Sequence, residues 1–204
     1  MHYKKKDIDF GKKASKYDDS WGHLASRFYS LLLGHVELKP GVKVLDVGCG
    51  TGAMLRKMAD KCSIIGFGID MSENMIEEAK QKCPDMNLQI SRCEETQFED
   101  NSFDIVTTCL AYHHFSDRAG FAKESARILK PGGSLYIADP RYPGIIRKIM
   151  NIGFSILRIE GGFFSPEEIY RDFAAYGFKP GGFEKNGFAQ VVKLIWLYSD
   201  ERDY

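Results

Sequence analysis

Residues 42–52 read VKVLDVGCGTG. Val42, Val44, Leu45 and Val47 make a short β-prone run, and glycines at 48, 50 and 52 follow it at once. A buried strand is therefore expected to end in a turn whose backbone bends sharply and approaches a ligand closely. A helical pattern from residue 53 to about 61 completes the unit. The dinucleotide fingerprint G-x-G-x-x-G fails, because its sixth place counted from Gly48 is Ala53, and G-x-x-x-x-G-K-[ST] has no match there either.

The same alternation continues outward. SIIGFGID (63–70) precedes a helical stretch at 73–82; NLQI (87–90) and FDIVTTCL (103–110) follow. A helix from about 118 to 129 stops at Lys130, Pro131 and Gly132, and SLYIAD (134–139) supplies a fifth strand. Short buried strands alternating with helices argue for a parallel sheet covered on both faces, with right-handed crossovers. Pro140 and Pro143 then open a helical candidate over 144–159, and Ser165, Pro166, Glu167 and Glu168 read as a cap with proline at the first helical position. The Gly/Pro-rich stretch 177–187 before FAQVVKLIWLYSD (188–200) predicts an antiparallel hairpin. Upstream, Trp21, Leu24, Phe28 and Leu31 recur at helical spacing behind capping candidates Asp18, Asp19 and Ser20, while residues 4–20 read as mobile or conditionally ordered. Residues 1–41 are thus a cap or lid segment. Residues 42–204 form one α/β domain with a helical substrate-side insertion at about 141–162.

Composition narrows the functions. The 204 residues hold 28 Lys plus Arg against 28 Asp plus Glu, so no net positive field recruits nucleic acid, and no stable nucleic-acid partner is expected. The start is basic and polar with no apolar stretch behind it, and no run reaches the roughly 18 apolar residues of a spanning helix. Neither a secretory signal nor a transmembrane segment is expected. Five cysteines, 49, 62, 83, 93 and 109, contain no C-x-x-C pair and read as reduced thiols of a cytoplasmic protein, with no metal site.

Asp70 ends the second strand, where a carboxylate can hold a ribose diol or simply cap the next helix. Asp46 stands beside the glycine loop, ready to meet a cationic or amino group. A ligand with a ribose, a cationic portion and no phosphate suits both. Tyr112, His113 and His114 follow the fourth strand at the carboxyl edge, where ligands of parallel sheets collect, and Asp139 and Tyr142 follow the fifth. His113 or His114 is a candidate base or a pocket-shaping group; Asp139 orients an acceptor or base, or forms a turn. Ile145, Ile149, Ile152, Ile156 and Ile159 share one helical face, with Arg147, Lys148 and Arg158 off it. That face packs on the sheet, closes the pocket as a lid with Ile145 and Ile149 toward the substrate, or meets a lipophilic acceptor, a membrane surface or a partner. Tyr17, Trp21 and Phe28 either cover the cofactor or, for Trp21 and Phe28, pack in the core.

DVGCGTG (46–52), GIDMSENMIEEA (68–79), EDNSFDIV (99–106) and LKPGGSLYIAD (129–139) together resemble the successive motifs of class I S-adenosylmethionine-dependent methyltransferases, above all the broad ubiquinone/menaquinone-biosynthesis and small-molecule group. The resemblance spans about residues 42–139. It implies a Rossmann-like, seven-stranded, mostly parallel sheet with helices on both faces and a C-terminal antiparallel hairpin. It implies S-adenosylmethionine as cofactor and S-adenosylhomocysteine as product. Carried over by position, Gly48, Cys49 and Gly50 pass beneath the methionine part, Asp46 supports the loop and amino group, Asp70 holds the ribose hydroxyls, Met71 packs on adenine and Leu110 closes the other side. One departure stands out: Ser91 and Arg92 occupy the place of a common Gly-Asp pair, leaving the Cys93 backbone or Glu94 to meet the adenine amino group.

The expected function is methyl transfer to a small, apolar or aromatic metabolite by in-line displacement, from a monomer or homodimer. RNA or protein methylation is the nearer alternative, and a non-catalytic cofactor-binding scaffold the more distant one.

Overall fold

The computed structural model describes residues 14–157 and 161–197, with side chains from residue 24 onward. Among these, seven strands form one sheet in the order β3-β2-β1-β4-β5-β7-β6. They are β1 (Lys43–Val47), β2 (Ile65–Asp70), β3 (Asn87–Ile90), β4 (Phe103–Cys109), β5 (Leu129–Pro140), β6 (Phe178–Asn186) and β7 (Ala189–Trp196). The first five run parallel; β7 lies antiparallel to β5, and β6 antiparallel to β7. The expected sheet and terminal hairpin are both present. The strand order reverses between β1 and β4, the switch point at which open α/β sheets bind ligands.

Alternation along each strand divides the core. Leu45, Val106, Leu135, Ile137, Val192 and Leu194 face one side, where α4 (Arg118–Ile128) and α6 (Pro166–Ala174) lay Phe121, Ile128, Ile169 and Phe173 on them. Val44, Ile105, Tyr136, Ala138 and Val191 face the other, covered by α1 (Ala14–His35) and α2 (Ala53–Lys61) through Phe28, Leu32, Met54 and Met58. Each such burial contributes about 1.5–3 kcal/mol. α3 (Glu73–Lys82) joins α2 and β3 in a smaller cluster, and α5 (Gly144–Ile156) follows β5.

Two boundaries differ from expectation. α1 begins at Ala14, so Asp18, Asp19 and Ser20 lie inside it; once a helix is nucleated by packing, extending it outweighs a local capping preference. β5 begins at Leu129, because Leu129 pairs with Phe103 before an irregularity in register resumes at Ser134 opposite Ile105. The residues read as a helix stop, Lys130 to Gly132, thus lie within a bulged strand. The cap at Ser165 forms as a full capping box with Pro166 in the first turn.

Candidate active site

The carboxyl ends of β1, β2, β4 and β5 bring the motif residues to one edge of the sheet. After β1, the Gly48 and Cys49 amides both donate to the Ile69 carbonyl, which binds the glycine loop to the end of β2. Gly48 has φ +70°, and a Cβ there would meet the Ala111 Cβ at 2.5 Å. The loop and the turn after β4 therefore touch, and only glycine permits it. Leu110, beside Ala111, holds φ +57° without being glycine, a strained geometry at the switch point.

Asp70 accepts from the Gly50 amide at 3.0 Å and from the Ser72 amide at 2.9 Å. It aligns the loop, while Ser72 itself caps α3 by accepting from Met75. Asp70 thus ties the loop to the residue before α3, the cap itself being Ser72, and its carboxylate lies at the loop. Asp46 is buried and accepts from the Thr107 hydroxyl at 2.8 Å. Burial pushes it up to about 7, against the Thr107 hydrogen bond and with Asp70 adding repulsion. Burial also raises Asp70, against its backbone donors. Among the described residues no cation is among the groups acting on either, so this end of the sheet favours a positively charged ligand. A Cβ on Gly50 would meet nothing within 4 Å, and Met71 is 65% exposed beside it, so the loop presents open space flanked by carboxylates and an apolar side chain. That combination fits a ribose-bearing sulfonium cofactor.

The side chain of Cys49 turns away from this space to pack with Leu55, Ile76 and Leu88, and burial raises its thiol well above the ordinary range. On the adenine side, Glu94 accepts from Arg92 Nε at 2.6 Å, again from Arg92 Nη2, and from Cys93 Sγ at 3.3 Å. Burial opposes ionisation of Glu94, yet Arg92 and Cys93 hold it below the ordinary carboxylate range. The departure at Arg92 thus occupies the carboxylate expected to receive adenine. Tyr17 belongs to α1, but its side chain, like that of Trp21, lies outside the described residues. Phe28 is core, edge-on to Phe188 at 5.4 Å.

Across the edge, His113 Nδ1 lies 2.7 Å from Asp139 Oδ1. Burial pushes Asp139 upward while His113 pulls it back. The His113 ring stacks on Phe163 at 5.4 Å, and Tyr142 meets Phe163 edge-on at 4.7 Å. Asn151 of α5 grips Phe163 twice, donating to its carbonyl and accepting from its amide, both at 2.9 Å. Gly161 passes so close that a Cβ would lie 1.9 Å from the His113 carbonyl oxygen, which accepts from the Gly162 amide. His114 keeps an exposed edge; loss of water around the rest of its ring, with His113 3.9 Å away between centroids, pushes it down to about 4. It is neutral at pH 7.

Three expected substrate contacts are corrected. Tyr112 is 1% exposed and sits among Phe115, Phe121, Phe164 and Phe173, because the 3-10 turn at Tyr112–His114 sends it under the sheet edge. Ile145 and Ile149 project outward, 77% and 65% exposed, since α5 turns its polar side inward. Phe163, unmarked in the sequence reading, takes the place beside His113, with Asn151 holding its backbone. The stretch GGFFSP reads as a turn, and nothing local distinguishes a phenylalanine that stacks on a distant imidazole.

A family described as "Methyltransferase domain" matches residues 45–137. The chain is 31% identical over 166 residues to the ubiquinone/menaquinone biosynthesis C-methyltransferase of Geotalea daltonii, covering 76% of this chain and 67% of that one. It is 32% identical over 158 residues to the demethylmenaquinone methyltransferase of Chlorobaculum tepidum, covering 74% and 63%. The chain thus spans about two thirds of the length of these relatives. Among solved structures, the complex between the Haloferax volcanii Trm112 methyltransferase activator and the putative methyltransferase contains a chain of like fold, with TM-score 0.83, 21% identity and coverage of 95% and 100%.

Proposed function

We propose that this chain, which belongs to the class I S-adenosylmethionine-dependent methyltransferases, methylates a small apolar or aromatic acceptor whose nucleophilic atom loses a proton to His113. The His113–Asp139 hydrogen bond at the carboxyl edge carries the reading. When bound, S-adenosylmethionine would supply an electrophilic methyl group for in-line displacement by the acceptor, with S-adenosylhomocysteine as the leaving group.

The chain's own residues position and deprotonate. Asp70 and the glycine loop would hold the ribose end, and Asp46, once ionised, would meet the cationic amino end. His113 Nδ1 is engaged by Asp139, which fixes the ring and stabilises the imidazolium formed when its other nitrogen takes the acceptor's proton. Phe163 and Tyr142 give that ring an aromatic wall that excludes water and favours a flat or apolar acceptor. Proximity of acceptor and methyl group supplies much of the acceleration.

The test is an acceptor panel of phenols, amines and activated carbon acids, read by S-adenosylhomocysteine release, after calorimetry with S-adenosylmethionine. Turnover of an aromatic or apolar member that is lost in His113→Ala supports the reading. Tight cofactor binding with no turnover across the panel opposes it.

A further inference from the structure

α5 is amphipathic in the reverse of the usual sense. Its inward side is polar: Arg147 pairs with Glu168 at 2.6 Å, and Asn151 grips Phe163. Its outward side is aliphatic. Ile145, Ile149, Ile152 and Ile156 are 77%, 65%, 60% and 75% exposed, flanked by half-exposed Ile146 and by Leu157, and no residue of the helix is fully buried. Single exposed aliphatics are ordinary, but a contiguous helix face of them marks a binding surface.

The shape of the face selects its occupant. At about 1.5 Å per residue the helix is roughly 20 Å long, and the face is made of six side chains on this one element, Ile145, Ile146, Ile149, Ile152, Ile156 and Leu157. A stable dimer draws about 20–30 residues from each partner. The face is also broader than the seam used by one partner helix, because Ile146 and Leu157 widen it to a flat sector of about 140°. Charge agrees. From Arg141 to Leu157 the chain carries Arg141, Arg147 and Lys148 and no acidic residue, although its net charge is zero. Arg147 is answered by Glu168, while Lys148 flanks the aliphatic face and is exposed.

We infer that α5 is an interfacial helix that docks this face on an anionic lipid surface, with Ile145, Ile149, Ile152 and Ile156 entering the headgroup boundary and Lys148 meeting lipid phosphates. Such helices bury an apolar side by about 5–10 Å and take further affinity from anionic lipid. Through Asn151 and Phe163 the docked helix adjoins His113, so the carboxyl edge faces the lipid. The inference stands on α5 and not on the acceptor's identity.

The test is flotation of the full chain with phosphatidylcholine vesicles, pure or with about a third phosphatidylglycerol. The parent is expected to float with the anionic vesicles, and less as salt rises. Ile149→Gln with Ile152→Gln is expected to lower partitioning at least about tenfold, since each removes an inserted aliphatic chain. Lys148→Glu is expected to weaken binding to the anionic vesicles alone. Thermal unfolding and calorimetry with S-adenosylmethionine should be unchanged in both variants, because the three positions are exposed. No flotation with either vesicle overturns the inference, as does a double variant that floats like the parent. A parent dimer that the double variant converts to monomer by sedimentation equilibrium also overturns it and assigns the face to a second copy. None of these readouts involves methyl transfer, so failure here and failure of the acceptor reading are separable.

Discussion

Asp139, 2% exposed at the end of β5, engages His113 Nδ1 at 2.7 Å across 26 positions of sequence, and thereby ties the fifth strand to the turn that follows the fourth. If His113 accepts the acceptor's proton, His113→Ala lowers kcat by about 10²–10⁴-fold with little change in cofactor affinity. Asp139→Asn retains the ring's neighbour but removes the charge that supports the imidazolium. Its loss should fall on kcat rather than on cofactor affinity. Unchanged kcat in both variants would limit the pair to a structural role.

Asp46 makes stability depend on pH in a stated direction. Its folded value, about 7, lies above the ordinary 3.8, so its contribution to stability is full below about pH 4 and is lost as pH rises through about 7. Asp46→Asn removes this titration and leaves a partner for Thr107. In cofactor-free protein the variant should gain on the parent by about 2–4 kcal/mol between those limits. Urea unfolding at both ends of the range measures the difference.

Asp70→Ala deprives the Gly50 and Ser72 amides of their acceptor. Hydrogen bonds to a charged group contribute about 1.5–3 kcal/mol each, so S-adenosylmethionine affinity should fall by at least about tenfold. Calorimetry that finds parent-like affinity would remove Asp70 from the cofactor site.

Arg92→Ala frees Glu94 from its guanidinium partner while leaving the Cys93 thiol beside it. The released carboxylate can accept from an adenine amino group, so cofactor binding should tighten several-fold. Weaker binding in the variant would instead mean that Arg92 itself holds the nucleotide.

Phe163→Ala removes the ring stacked on His113 and should cost about 3–5 kcal/mol. Asn151→Ala leaves the amide and carbonyl of Phe163 without their side-chain partner, at about 1–3 kcal/mol. Both should raise the acceptor KM. Thermal melts compared with initial rates at varied acceptor separate the two effects.

Much of the fold is legible because its signals are local. Val42 to Ala53 contains strand, turn and helix start within twelve residues, and the same short-range pattern marks each later unit. The positions Asp46, Gly48, Gly50 and Asp70, which the resemblance assigns to the cofactor, are legible for the same reason, since each sits at the end of a strand or in the turn after it, where the alternation dictates the direction. The start of α1 and the bulged start of β5 are not, because long-range packing outweighs the capping and breaking preferences of a few residues.

The acceptor side follows a different rule. That His113 and Asp139 share the carboxyl edge is a property of strand direction, which the sequence by itself determined through its alternation of strands and helices. That Tyr112 is core, that Phe163 stacks on His113 with Asn151 holding its backbone, and that the isoleucines of α5 face outward was decided only by the tertiary structure. A helical period shows that four isoleucines share a face but carries no information about which way the face turns. The Arg147–Glu168 pair and the Asn151 grip on Phe163 set that rotation, and both join residues far apart in the chain.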